Sequence, residues 1–304
     1  MKIDKNFITY TVLLVSALLS PLYAQVTTDS TEVAVAEIVA DTVAEAPENG
    51  SFGHRFAYDM GSIYHSILFT ATGPARWEKK DFITAGAFIG GSALLLMADE
   101  DVARYFREQG ERVPEGWHKA GWYMGKPQYN YTFSLGVFAA GLITKNEKIR
   151  RTSVLILSAA TTAGVMQTVL KKAVGRARPG MDEGNLSFDP FSKQQGYHSF
   201  PSGHTILSTT VVYAISKEFS NPWAKAGILS IGLITPMSRM WDNAHWLTDV
   251  VVGAGLSIIC VESADHYLKL NKRYEQDRLA DPHHKKISWN FQAGYNTIGI
   301  TGTF

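Results

Sequence analysis

Residues 154–170 read V-L-I-L-S-A-A-T-T-A-G-V-M-Q-T-V-L and run directly into K-K-A-V-G-R-A-R-P at 171–179. An uncharged, largely apolar run of this length predicts a buried helix, and the basic cluster followed by Pro179 and Gly180 predicts its end. Lys171 and Arg178 are seven positions apart, so on a continuing helix they share a face. Taken alone, the cluster reads as a basic helix terminus that complements the macrodipole.

Outward from this segment, apolar runs alternate with polar breaks. Together with 154–170 they lie at 82–98, 133–143, 206–215, 224–237 and 247–260, and the breaks between them carry Pro, Gly or charges, as at 145–151 and 175–196. The pattern predicts an all-α domain of six helices over 51–270. The last stretch, 287–304, shows partial alternation around Gly and Asn and predicts a short β-hairpin after a linker, packed against the bundle. Its terminal Phe304 resembles the last residue of an outer-membrane strand, but one hairpin makes no barrel.

The chain has 304 residues, 45% hydrophobic and 19% charged, with 29 Lys and Arg against 28 Asp and Glu. That composition excludes a wholly disordered chain. The lone Cys260 excludes an internal disulfide and a thiolate metal site, and reads as a small buried apolar residue. Lys2 and Lys5 precede an apolar run at 7–19 and a small-residue cleavage point at Ala24, so 1–24 reads as a secretory signal peptide, with an uncleaved anchor as the alternative. Residues 25–50 hold six acidic and no basic residues and read as a solvated linker. From Ser51 onward 27 basic residues face 21 acidic ones, a net +6 that suits an anionic ligand. No nucleic-acid partner is expected.

Whether the helices cross a bilayer is contested within the sequence. A span needs about 20 mostly apolar residues, and these runs are borderline. The basic groups at Arg76, Lys79 and Lys80 and at Lys145, Lys148, Arg150 and Arg151 would both be cytoplasmic, whereas a cleaved signal places residue 81 outside. Either a further span lies in 56–72, or the exported bundle is soluble or rests on a membrane surface. The balance leans to the second.

Two more clusters carry chemistry. Phe200-Pro201-Ser202-Gly203-His204 opens the helix at 206, so free backbone N–H groups and a hydroxyl face an anion there, or Ser202 is an ordinary N-cap with His204 in solvent. In Ser238-Arg239-Met240-Trp241-Asp242-Asn243-Ala244-His245-Trp246-Leu247-Thr248-Asp249, a helical spacing of four would let Asp249 orient His245 as a base or nucleophile. Asp242 is an alternative partner. His198 reads as loop structure sooner than substrate contact, and Trp241 and Trp246 as core packing sooner than a lipid pocket.

Joined in order, K-x6-R-P, P-S-G-H and S-R-x5-H-x3-D resemble the phosphatidic acid phosphatase type 2 (PAP2) and vanadium haloperoxidase superfamily, over roughly 82–267. The resemblance implies a helical bundle with its site at one end. Lys171, Arg178 and Arg239 would hold phosphate oxygens, Ser202 and the Gly203 N–H would add hydrogen bonds, His245 would attack phosphorus, His204 would protonate the leaving oxygen, and Asp249 would orient His245. It implies no metal and no cofactor, and a phosphorylated lipid or small phosphoester as substrate. The expected activity is hydrolysis of a lipid phosphate or pyrophosphate in the cell envelope through a phosphohistidine, by a periplasmic, membrane-associated protein. The alternatives are an exported phosphatase of soluble phosphomonoesters, a vanadium-dependent haloperoxidase and a non-catalytic envelope protein.

Overall fold

The computed structural model describes residues 50–274, 288–294 and 297–303. Ten α-helices lie among them: α1 (Phe52–Ala71), α2 (Lys79–Leu95), α3 (Asp99–Gly110), α4 (Glu115–Gly125), α5 (Pro127–Thr144), α6 (Glu147–Val174), α7 (Gly203–Lys217), α8 (Pro222–Gly232), α9 (Ile234–Trp241) and α10 (Leu247–Leu270). The strands β1 (Ser288–Gly294) and β2 (Thr297–Thr303) pair antiparallel, Ser288 opposite Thr303. The expected signal peptide and nearly all of the acidic linker lie outside the described residues.

Side chains written into the sequence set the helix boundaries. Ser51 accepts from His54 N ahead of α1, Asn146 from Ile149 N ahead of α6, and Asn221 from Trp223 N ahead of α8, each meeting a backbone donor that the first helical turn leaves free. Pro127 and Pro222 occupy first positions, where the missing N–H costs nothing. The long central helix ends at Gly175, whose φ of 58° is left-handed and whose Cβ, had it one, would lie 1.9 Å from the Asp189 carbonyl oxygen.

Six helices were expected, and the bundle is more finely divided. Every expected segment is helical, but 224–237 is cut at Leu233 into α8 and α9, because Pro236 has no N–H to donate back to Gly232. The helices α3 and α4 had no apolar run to announce them, and α1 occupies the stretch weighed above as a further span. The expected end at Pro179 is also corrected: α6 stops at Gly175, and 176–178 continues as an extended segment bridged to Phe188.

The principal core forms where α1, α6, α7 and α10 meet, around Val154, Leu155, Ile156, Ile206, Val261, Ala264 and Leu268. Cys260 is buried in it, beside Met166. A second cluster joins Leu95, Val102, Met240, Leu247 and Val251 at the other end. Three helical segments, Lys79–Gly110, Glu147–Val174 and Leu247–Leu270, are long and apolar enough to cross a membrane. Arg150 and Arg151, counted above as loop charges, are instead buried in ion pairs. Arg150 donates to both oxygens of Asp59 at 2.7 and 2.8 Å, and Arg151 to Asp265 at 2.7 Å.

Candidate active site

Three chain segments converge where α6 ends and where α7 and α10 begin. Lys171 is on the last turn of α6 and Arg178 in the extended segment beyond it. The helix does not continue from Lys171 to Arg178, so the shared-face reading is replaced by a loop that returns. Backbone bonds hold this loop: Ala177 N donates to Ser187 O at 3.0 Å, Arg178 N to Gly196 O at 2.9 Å and Ser199 N to Arg176 O at 3.0 Å. Gly180 N donates to Asn243 O at 3.1 Å, which ties the first basic segment to the loop carrying His245.

Ser202 stands at the N-cap of α7, fully buried, and its hydroxyl makes no capping bond. Its Oγ accepts from Thr205 Oγ1 at 3.0 Å, which leaves the Ser202 proton free for another acceptor. Ser202 N donates to Asp249 O at 3.1 Å, so the α7 and α10 N-termini are stitched together. Gly203 opens α7 and lies against the Gln167 amide of α6, where a Cβ would come to 3.0 Å. His204 is half-buried and not in free solvent. Its Nε2 has no hydrogen-bond partner among the described residues, and neither has Arg178 Nε.

His245 precedes α10 and is not on it, so the expected helical spacing is not what joins it to Asp249. Asp249 is the third residue of α10, and its Oδ2 accepts from Trp246 N at 2.9 Å as in a capping box. The turn brings His245 Nδ1 to 3.6 Å from the same oxygen, longer than a formed hydrogen bond. Asp242, the alternative partner, is engaged elsewhere: it accepts from Arg239 Nη2 and lies 2.5 Å from His118 Nδ1. Arg239 also donates to Ser238 Oγ at 2.9 Å. The loop reading of His198 holds, with Nε2 on Ser192 O at 3.0 Å, and Trp246 is buried with its indole N–H on Ala177 O at 2.8 Å.

The electrostatics follow from burial among cations. Burial pushes His204 down to about 3, helped by Arg239, His245, Lys171 and Arg178. Burial likewise pushes His245 down to about 4, with Lys171 and Arg178 adding to the fall and Asp249 opposing it. Both imidazoles are therefore neutral at pH 7, and three cations surround them. With its Nδ1–H toward Asp249, His245 presents the Nε2 lone pair outward. Such a site suits a dianionic tetrahedral group, with a neutral nitrogen poised for in-line attack. Among the described residues no three His, Cys, Asp or Glu side chains are grouped to hold a metal ion.

Residues 152–269, which contain all three clusters, match the family model described as the PAP2 superfamily. This segment is therefore similar to the domains of that superfamily. The match is narrower than the expected 82–267, and α1 to α5 lie before it. Over 93 residues the chain is 34% identical to a lipid A 1-phosphatase of Rhizobium etli, covering 30% of this chain and 39% of that one. Over 101 residues it is 29% identical to a lipid A 1-phosphatase of Porphyromonas gingivalis, covering 33% of this chain and 20% of the other. The chain thus aligns with well under half the length of these curated relatives. A crystal structure of the transmembrane PAP2 type phosphatidylglycerolphosphate phosphatase from Bacillus subtilis is 18% identical, covers 68% of this chain and 94% of its own, and superimposes with a TM-score of 0.44.

The sequence reading missed Arg176, Asp99 and Ser199. Arg176 donates to Asp249 Oδ1 at 2.8 Å and to Asp99 Oδ2 at 2.6 Å, and Ser199 Oγ donates to Asp249 Oδ2. Arg176 was visible inside the basic cluster and Ser199 just ahead of P-S-G-H. Nothing local marks Asp99, which reaches the site from the start of α3.

Proposed function

We propose that this chain is a phosphatase that removes phosphate from a phosphorylated lipid through a phosphohistidine, without a metal. The observation that carries this reading is the convergence of Lys171, Arg178 and Arg239 around His204 and a buried His245 backed by Asp249. His245 Nε2 attacks phosphorus, the bond to the leaving oxygen breaks, and His204 gives that oxygen a proton. Water then attacks the phosphohistidine, His204 takes the water's proton, and inorganic phosphate leaves with His245 restored. Lys171, Arg178, Arg239, Ser202 and the Gly203 N–H stabilise the charge on the equatorial oxygens throughout. The curated relatives named lipid A 1-phosphatases favour a lipid phosphate or pyrophosphate over a soluble ester.

The protein works at a membrane of the cell envelope, after export guided by residues 1–24, with 25–50 as a spacer. Two observations support a membrane setting. Three segments are long and apolar enough to cross, and α1 is turned inside out, with Asp59, Ser62, Ser66 and Thr70 buried and Phe52, Phe56, Met60, Tyr64 and Leu68 exposed. Polar residues inward and apolar residues outward is the polarity that lipid selects.

The test is phosphate release from phosphatidate, lipid A and an isoprenoid diphosphate in detergent micelles with a chelator present. Release from at least one that survives chelation and disappears in His245→Ala is expected. A chelator-sensitive activity, or one retained by His245→Ala, would overturn the mechanism.

A further inference from the structure

Arg176 lies between Lys171 and Arg178, and by residue type it is a third candidate for holding phosphate. Its surroundings say otherwise. The side chain is 1% exposed, and each of its three nitrogens has an acceptor: Nη1 donates to Asp249 Oδ1 at 2.8 Å, Nη2 to Asp99 Oδ2 at 2.6 Å and to Asn185 O at 2.8 Å, and Nε to the same carbonyl at 3.0 Å. Asp99 Oδ1 in turn accepts from Thr248 N at 2.9 Å. The chain of contacts therefore runs from His245 through Asp249, Arg176 and Asp99 back to the first turn of α10, which holds Asp249 itself. Trp246, next to His245, closes the ring, its aromatic face 5.4 Å from the Arg176 guanidinium carbon. Two buried carboxylates share one guanidinium, and each fixes the geometry of the other.

We propose, building on the phosphatase reading above, that Arg176 and Asp99 are positioning residues that clamp the Asp249 carboxylate facing His245 Nδ1, and that Arg176 takes no part in binding phosphate. Asp249 can hold the Nδ1–H tautomer of His245 only while its own carboxylate is held, and three of its contacts besides His245 do that: Arg176, Ser199 and Trp246 N. Loosening the clamp misdirects the nucleophile but leaves the phosphate-binding cations Lys171, Arg178 and Arg239 in place. The defect belongs in kcat, not in KM.

The experiment compares Arg176→Met, Arg176→Lys, Asp99→Asn and Lys171→Met in the full chain. It measures kcat and KM for the substrates named above, together with the competitive inhibition constant of inorganic phosphate. Arg176→Met and Asp99→Asn are expected to lower kcat about 10- to 100-fold, as loss of a supporting partner does, with KM and the phosphate constant changed less than about threefold. Arg176→Lys, which keeps the charge, should recover part of the loss. Lys171→Met should instead raise the phosphate constant about tenfold or more. A rise in the phosphate constant for Arg176→Met like that of Lys171→Met would overturn the proposal, and so would an unchanged kcat. Should Arg176→Met fail to fold with two unpaired carboxylates inside, Asp99→Asn decides, since it keeps the acceptor for Thr248 N and leaves Arg176 one carboxylate; an unchanged kcat there overturns the clamp. A wild-type chain that releases no phosphate from any of the three substrates would overturn the phosphatase reading, and the positioning role with it.

Discussion

His204 is the residue whose chemistry depends most on its neighbours. In the proposed mechanism it must carry a proton to release the leaving group, yet burial and the charges of Arg239, Lys171 and Arg178 hold it neutral at pH 7. A phosphoryl dianion lying among those cations offsets their repulsion, so the proton arrives with the substrate. The sign is definite: binding raises the His204 pKa, and protons are taken up from solvent. Titrating the protein with inorganic phosphate at pH 7, in two buffers of different ionisation enthalpy, should show net proton uptake that His204→Gln reduces. Equal heats in both buffers would remove the coupling. With His245 needed neutral and His204 protonated in the complex, the rate profile should be bell-shaped, its two limbs belonging to the coupled pair.

Among the elements, α4 and its junction with α5 matter for a reason no periodicity displays. Gly125, the last residue of α4, packs against His204, and a Cβ there would lie 2.5 Å from His204 Cβ and 2.8 Å from its Cα and carbonyl oxygen. The obstacle is backbone, so the junction must move. Gly125→Ala should cost about 1–3 kcal/mol of stability and lower phosphate release, whereas Gly136→Ala, in the exposed middle of α5 with open space around it, should do neither. Thermal unfolding and initial rates on the two variants check this, and equal behaviour would show that the junction yields. The same junction illustrates what the sequence could convey. Segments such as 154–170 and 247–260 were legible because a long uncharged run has few alternatives to a buried helix, and the order and spacing of Lys171, Arg178, Ser202, His204, Arg239, His245 and Asp249 marked out the candidate site beside them. The short α4, glycine-rich and without an apolar run, and the charged α3 carry no such signal. Their helicity comes from what they pack on: Gly121 of α4 on Ser238, and Val102 of α3 in the second core cluster. The pairing of Asp99 with Arg176 was illegible for the same reason, since contacts made across 77 positions leave no local pattern.

At the scale of the whole molecule, α6 measures the protein. Arg151 and Lys171 are twenty residues apart on one helix, about 30 Å at 1.5 Å per residue, which is close to the thickness of a bilayer's hydrocarbon core. The end near Arg151 is closed by buried ion pairs to Asp59 and Asp265, and the other end carries the site. Between them the outward residues include Val165 and Val169 on α6 and Phe133, Leu135 and Ile143 on α5, all exposed. Arg150 and Arg151, which entered the positive-inside count as loop charges, pair with carboxylates within the bundle. Over the stretch 56–72 weighed as a further span, α1 alternates exposed apolar residues with polar ones that face inward, which lowers its averaged hydropathy. If lipid covers the stripe Phe52, Phe56, Met60, Tyr64 and Leu68, the expressed chain stays in the membrane pellet through an alkaline carbonate wash and leaves it only with detergent. Placing charges on the stripe, as in Met60→Lys with Leu68→Lys, should shift part of the protein to the supernatant, because each lysine at lipid depth costs about 2.5–3.5 kcal/mol less whatever its long side chain recovers by reaching the interface. The same double substitution does not touch the buried face that holds Asp59, so the Arg150 ion pair and the fold persist. Complete release of the wild-type chain by carbonate would mean that protein, not lipid, covers α1.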